Sequence, residues 1–130
     1  MSKINIGTIR QEAKALYLSG GYNCTETIIA IIGKHFAPDM PKQIIAIGAG
    51  FGGGISGSGC VCGTVSGGVI ALGYLFGKDA KPLTKELHDR FQSKHKAACC
   101  KVLGRKEQCA EFVSDVTEIS AELIARELGI

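Results

Sequence analysis

The run Cys62-Gly63-Thr64-Val65-Ser66-Gly67 places a thiol, two glycines and two hydroxyls in a segment, Gln43 to Phe76, that carries no charged residue. Three further thiols, Cys24, Cys100 and Cys109, fall where the residue pattern starts or ends other helices. A thiol at a helix N-terminus faces free N–H groups and the positive end of the helix dipole, which favour the reactive, metal-binding thiolate. Four thiols at helix ends, beside apolar, glycine-rich packing, suggest a shared sulfur site. They would hold a metal or cluster together, or cycle between thiol and disulfide. The pattern points to redox chemistry more clearly than to any substrate.

Taken singly, each cysteine also has a plain reading as a small apolar core residue. Cys24 follows Asn23 at the first turn of a capped helix, and Cys62 precedes Gly63 at the start of another. Cys100 and Cys109 flank Leu103-Gly104-Arg105, which fits a turn, so the two are expected to converge across a helical hairpin. Cys60 is a spare ligand, a resolving thiol or a bystander. Cys99 is rotated by about 100° from Cys100 on a helix and is the weaker candidate of the two. His95 lies four residues before Cys99, within reach of a joint metal contact, although a half-buried, hydrogen-bonded histidine is the plainer expectation. His35 and His88 read as surface residues. No spacing matches a zinc ribbon, a C-x-x-C pair, a haem attachment or a ferredoxin motif. No Ser/His/Asp set or paired carboxylates stand out, so hydrolysis is not supported.

The elements that must position these thiols read as helices throughout. The first is expected from Ile6 to Leu18, with Ile6, Ile9, Ala13, Leu16 and Tyr17 on one stripe and Gly20-Gly21 ending it. Asn23 and Glu26 form a capping-box pattern for a second helix, Cys24 to about Ile32, with Gly33 after it. Pro41 suits the first turn of a short third helix through Ile47, and Gly48 to Gly59 reads as a close-packing glycine-rich turn region. A fourth helix is expected from near Cys62 to Phe76, closed by Gly77. Pro82 opens a fifth, lined by Leu83, Leu87, Phe91, Ala98 and Val102 and closed by Gly104. A sixth spans about Gln108 to Leu128, burying Cys109, Phe112, Val113, Val116, Leu123 and Ile124. No segment alternates as a strand would. The expected class is all-α: a compact bundle of five to six helices with a glycine-rich central loop.

A chain of 130 residues is one domain's worth, taken here as 1–130, and long enough to bury a core. Its start, Met1-Ser2-Lys3-Ile4-Asn5, has no apolar h-region, so no secretory signal is expected. Six cysteines in such a chain read as reduced thiols or ligands rather than a disulfide framework, and the cytoplasm is the expected compartment. The apolar stretch Val61 to Phe76 is short of the roughly 20 residues a membrane span needs and is interrupted by glycines, so no stable membrane insertion is expected. The net charge of +3 hides an asymmetry: Lys78 to Lys106 is basic, Glu107 to Ile130 acidic. Two solvated faces attracting each other across a hairpin account for it; the alternative is a basic rim that favours thiolates or an anionic cluster, or docks an acidic partner. The positive residues are not interleaved with aromatics, so nucleic acid is not expected.

Gly48-Ala49-Gly50-Phe51-Gly52-Gly53 matches G-x-G-x-x-G after Ile44-Ile45-Ala46-Ile47. A dinucleotide site would need a strand before it, a helix after it and an acid about 20 residues on. No acid occurs from Gln43 to Gly77, so the glycines read as a loop whose N–H groups can face sulfur or an anion.

At these residues the chain resembles the C_GCAxxG_C_C family of small redox-active bacterial and archaeal proteins. The family pattern is an early Tyr-Asn-Cys helix start, a glycine-rich run, C-G-A-x-x-G and two late cysteines. Here Tyr22-Asn23-Cys24, Gly52-Gly53-Gly54 with Gly57 to Gly59, Cys62-Gly63-Thr64-Val65-Ser66-Gly67, and Cys100 with Cys109 supply them, from about Tyr17 to Val113. Thr64 stands where the family usually has alanine, a mild change, and Cys60 and Cys99 are extra to the four. The resemblance implies a redox role. Related sequences fused to haem domains in split-Soret-type cytochromes imply an iron–sulfur centre.

The leading expectation is therefore an electron-transfer protein in which Cys24, Cys62, Cys100 and Cys109 bind an iron–sulfur cluster of the two-iron kind and serve an unknown redox partner protein. The alternatives are a thiol/disulfide oxidoreductase using the same cysteines without a cofactor, or a structural zinc or metal-binding accessory protein. The glycine-rich fourth helix suggests a close helix–helix contact, and a homodimer is expected on that ground.

Overall fold

A computed structural model describes residues 4–52, 55–56, 62–96 and 108–130. Among them the chain is all-α, with helices α1 (Ile6–Leu18), α2 (Cys24–Phe36), α3 (Lys42–Ile47), α4 (Gly63–Phe76), α5 (Ala80–His95) and α6 (Cys109–Leu128). Short 3₁₀ turns at Gly48–Phe51 and Gly77–Asp79 follow α3 and α4.

Local chemistry explains most of the boundaries. Asn5 caps α1 by accepting from the Thr8 N–H, and the expected span of this helix is the observed one. The expected capping box at α2 is present: Asn23 Oδ1 accepts from the Glu26 N–H at 2.8 Å, and Glu26 Oε1 accepts from the Asn23 N–H at 2.9 Å. Gly77, with φ at 57°, ends α4 in a backbone region that costs other residues dearly.

Three boundaries differ from expectation. Gly33 does not follow α2 but lies inside it, the helix continuing to Phe36. Met40 packs where a Gly33 side chain would begin, so that contact offsets the helix penalty of glycine. Pro82 does not open α5, which begins at Ala80. Pro82 is the third residue of α5, where a backbone N–H has no partner inside the helix and its absence costs nothing. The fifth helix also stops at His95, with Lys96 in the left-handed region (φ 68°), instead of running on towards Gly104. Ala98, Val102 and Gly104 lie outside the described residues.

α6 is the spine, touching α1, α2, α4 and α5. It is wrapped so fully that Ser114, Asp115, Thr117 and Ser120 are buried along with Phe112, Val113, Val116, Leu123 and Ile124. Ile9, Ile28, Ile32, Leu72, Leu87 and Phe91 meet this helix or its neighbours in the core. α4 lies against α2, α5 and α6, and its glycines allow that closeness. A Cβ on Gly67 would stand 2.9 Å from the Thr25 carbonyl of α2, and one on Gly68 2.6 Å from Leu87 Cδ2 of α5. The close contact expected of this helix is thus made inside the chain.

The charge asymmetry resolves into pairs between α5 and α6: Arg90 with Glu122 at 2.6 Å, Arg126 with Glu86 at 3.0 Å, and Lys94 with Asp115 at 3.0 Å. Arg90 and Lys94 pair basic α5 with acidic α6 as anticipated from the sequence, while Arg126 with Glu86 runs the other way. Among the described residues no helix is long and apolar enough to cross a membrane.

Candidate functional site

Cys24 is the first residue of α2, and Cys62 is the N-cap of α4. Both are buried, at 8 % and 4 % exposure. The two helix starts face each other because α2 and α4 pack together with only glycine between them. A Cβ on Gly63 would lie 2.6 Å from Cys24 Sγ, 2.8 Å from Thr25 Oγ1 and 2.9 Å from the Phe51 carbonyl oxygen. Position 63 can therefore hold only glycine without a shift of its surroundings, and the residue next to Cys62 is pressed against the Cys24 sulfur.

Hydroxyls complete the surroundings of both sulfurs. Thr25 Oγ1 donates to the Gly63 carbonyl at 2.7 Å, joining the start of α2 to the start of α4, and stands 3.9 Å from Cys24 Sγ. Thr64 Oγ1 stands 2.9 Å from Cys62 Sγ, and both threonines are wholly buried. Neither threonine was singled out as a site residue from the sequence. Thr64, read from the sequence as a mild replacement for alanine, brings a hydroxyl to the thiol that alanine would not.

The glycine run supports the same place. Asn23 Nδ2 donates to the carbonyls of Gly48 (3.3 Å) and Ala49 (3.2 Å), which ties the 3₁₀ turn to the start of α2. Gly48 is buried against Thr25 and Ile29. Ile44 to Ile47 is helical, so no strand precedes the G-x-G-x-x-G match and the dinucleotide reading stays excluded.

Cys109 opens α6 and is half-buried, rather than buried with the rest of the stripe. Cys60, Cys99 and Cys100 lie outside the described residues, as does any joint contact of His95 with Cys99. Among the described residues no group of three or more His, Cys, Asp or Glu side chains is placed to hold a metal ion. Of the four expected thiols, Cys24, Cys62 and Cys109 are described, and the Cys24 sulfur lies against the glycine that follows Cys62.

His95 takes the plainer of its two expected roles. Its Nε2 meets Asp115 Oδ2 at 2.7 Å, and its ring lies 4.6 Å from Phe91 and 4.7 Å from Phe112 between ring centres. Asp115 also accepts from Arg10 of α1 at 2.6 Å and meets Lys94 at 3.0 Å. Burial pushes the Asp115 carboxyl up, but hydrogen bonds from Arg10, Lys94 and His95 outweigh it and hold it below the usual carboxylate range. This cluster joins α1, α5 and α6 and anchors the end of α5 just before residue 97. His35, read as a surface residue, is half-buried and bonded to Glu12 at 2.7 Å.

A family model described as "Putative redox-active protein (C_GCAxxG_C_C)" matches residues 22–123. No curated protein and no solved structure gives a match. The matched stretch holds the capped start of α2, the glycine turn, the start of α4 and Cys109, so the chain belongs to the C_GCAxxG_C_C family.

Proposed function

We propose that the protein transfers electrons through a sulfur centre built on Cys24 and Cys62 and completed by Cys100 and Cys109. The observation that carries this reading is the Gly63 contact, which sets the Cys24 sulfur against the residue adjoining Cys62. An iron–sulfur cluster of the two-iron kind suits the donor chemistry: thiols, two of them buried at helix N-termini. When bound, such a cluster supplies one-electron transfer. The chain's own part is to hold the sulfurs, to shield them from water and to place the helix N-termini and buried hydroxyls where they offset negative charge.

The test is anaerobic reconstitution with iron and sulfide, followed by absorption spectra and metal counting. Parent protein is expected to bind iron, and Cys24→Ser, Cys62→Ser, Cys100→Ser and Cys109→Ser each to lose it. No iron in parent protein with all thiols reduced rejects the cluster. Zinc bound in its place, with no visible absorption, would indicate a structural metal site.

A second reading rests on the Cys24 sulfur lying against Gly63, the residue after Cys62: the two thiols would serve as a dithiol. The Cys62 thiolate would attack one sulfur of a partner disulfide and expel the other as a thiolate. The Cys24 thiolate would then attack the Cys62 sulfur of the mixed disulfide and release the second partner thiol. Two electrons pass to the partner, and a Cys24–Cys62 disulfide remains. Reversible titration of this pair against glutathione in metal-free protein is the expected outcome, and failure of the pair to oxidise rejects it.

A further inference from the structure

We propose that Thr64 tunes the redox centre: its hydroxyl donates a hydrogen bond to the Cys62 sulfur and raises the reduction potential of the couple to which Cys62 belongs. The inference rests on the reading of Cys62 as part of that centre.

Thr64 Oγ1 and Cys62 Sγ are 2.9 Å apart, close for any contact to sulfur. Thr64 is 0 % exposed and Cys62 4 %, so water is not there to replace the bond. A buried hydroxyl in a helix commonly returns to the carbonyl one turn back, as Ser114 does to Ala110 at 2.9 Å. Thr64 is the second residue of α4, and its hydroxyl instead meets the N-cap sulfur. The neighbouring hydroxyl, Thr25 Oγ1, is committed to the Gly63 carbonyl. Thr64 is thus the hydroxyl aimed at Cys62.

The direction of the effect follows from proton count. Against a neutral thiol either group can donate. Against a thiolate or a metal-bound sulfur only the hydroxyl has a proton to give, and the bond strengthens with the negative charge it meets. Reduction adds negative charge to the sulfurs, whether the couple is a cluster or a dithiol/disulfide pair. The hydroxyl therefore favours the reduced form in both, and its loss moves the potential down.

The test compares Thr64→Val, which keeps the shape and removes the hydroxyl, with Thr64→Ser, which keeps the hydroxyl. Thr64→Ala repeats the loss if valine does not fit the first turn of α4. One readout is the midpoint potential of iron-loaded protein, where a tenfold loss of preference for the reduced form is a fall of about 59 mV for one electron. The other needs no cluster: the midpoint potential of the Cys24 and Cys62 pair against glutathione in metal-free protein, where the same tenfold loss is a fall of about 30 mV for two electrons. Val and Ala variants are expected to show the fall and the Ser variant not. A folded Val or Ala variant with the parent's potential overturns the proposal. So does a Ser variant lowered as much as the others, because the methyl packing would then be responsible. Failure of parent protein to bind iron rejects the cluster and leaves the glutathione comparison to decide the role of Thr64; a parent that neither binds iron nor cycles with glutathione rejects the redox reading of Cys62 itself, and the proposal with it.

Discussion

The sulfur of Cys24 lies against the backbone of Gly63, so close that any side chain at 63 would begin 2.6 Å from it. Gly63→Ala is therefore expected to push α4 away from α2 at the start of both helices. The neighbours are a sulfur, a buried hydroxyl and a backbone carbonyl, none of them the loose end of a flexible chain. Overpacking of this kind costs about 2 kcal/mol. Urea melts should show that loss, together with weaker iron retention than in parent protein; a fully stable variant would contradict the contact.

Thr25 holds the same junction through its bond to the Gly63 carbonyl. Thr25→Val keeps the shape but removes this second donor from a carbonyl already in the helix ladder, at a cost of about 1 kcal/mol. Thr25→Ser should recover most of it. Equal melting of the Val variant and the parent would show that the hydrogen bond contributes nothing.

Asp115 receives Arg10, Lys94 and His95 while itself almost wholly buried. Asp115→Asn removes the charge that answers them and should cost about 3 kcal/mol. The pH dependence has a definite sign. A carboxyl held low in the folded protein contributes stability above its unfolded value, near 3.9, and loses it as pH falls through the lower folded value. Glu12 behaves alike: the hydrogen bond from Lys34 lowers it, burial opposes, and His35 adds to the lowering. Parent protein should weaken in acid below about pH 4, and Asp115→Asn should show a shallower acid decline from a lower plateau. Parallel curves would refute this assignment.

Two helix glycines should respond oppositely. Gly68→Ala meets Leu87, Val116 and Ser120 at under 3 Å on two other helices and should lose about 2 kcal/mol. Gly33→Ala meets the terminal methyl of Met40, which can swing aside, while the helix gains about 1 kcal/mol from losing its glycine. Thermal melts should place Gly33→Ala at or above the parent and Gly68→Ala well below it. The reverse order would show that α4 is not squeezed as described.

Short-range chemistry was readable directly from residue types. The first helix, the Asn23–Glu26 capping box, the start of α4 at Cys62 and its end at Gly77 depend on partners within a few residues, so they stand in the sequence as local patterns. The all-α class follows from the same periodicities. Gly33 and the end of α5 were misread because local rules were outvoted. Packing of Met40 carries α2 through its glycine, and the left-handed turn at Lys96 closes α5 well before Gly104.

The residue types also named the thiols, but not what surrounds them. Thr25 and Gly63 are 38 positions apart, and Arg10 and Asp115 are 105 apart. No spacing rule links such pairs, because they meet only where two packed helix faces exclude water. Sequence alone determined that sulfur atoms begin two helices, one of them in an uncharged, glycine-rich stretch. Tertiary packing alone decided that Cys24 rests on Gly63, that Thr64 faces Cys62, and that a buried carboxylate binds three helices together.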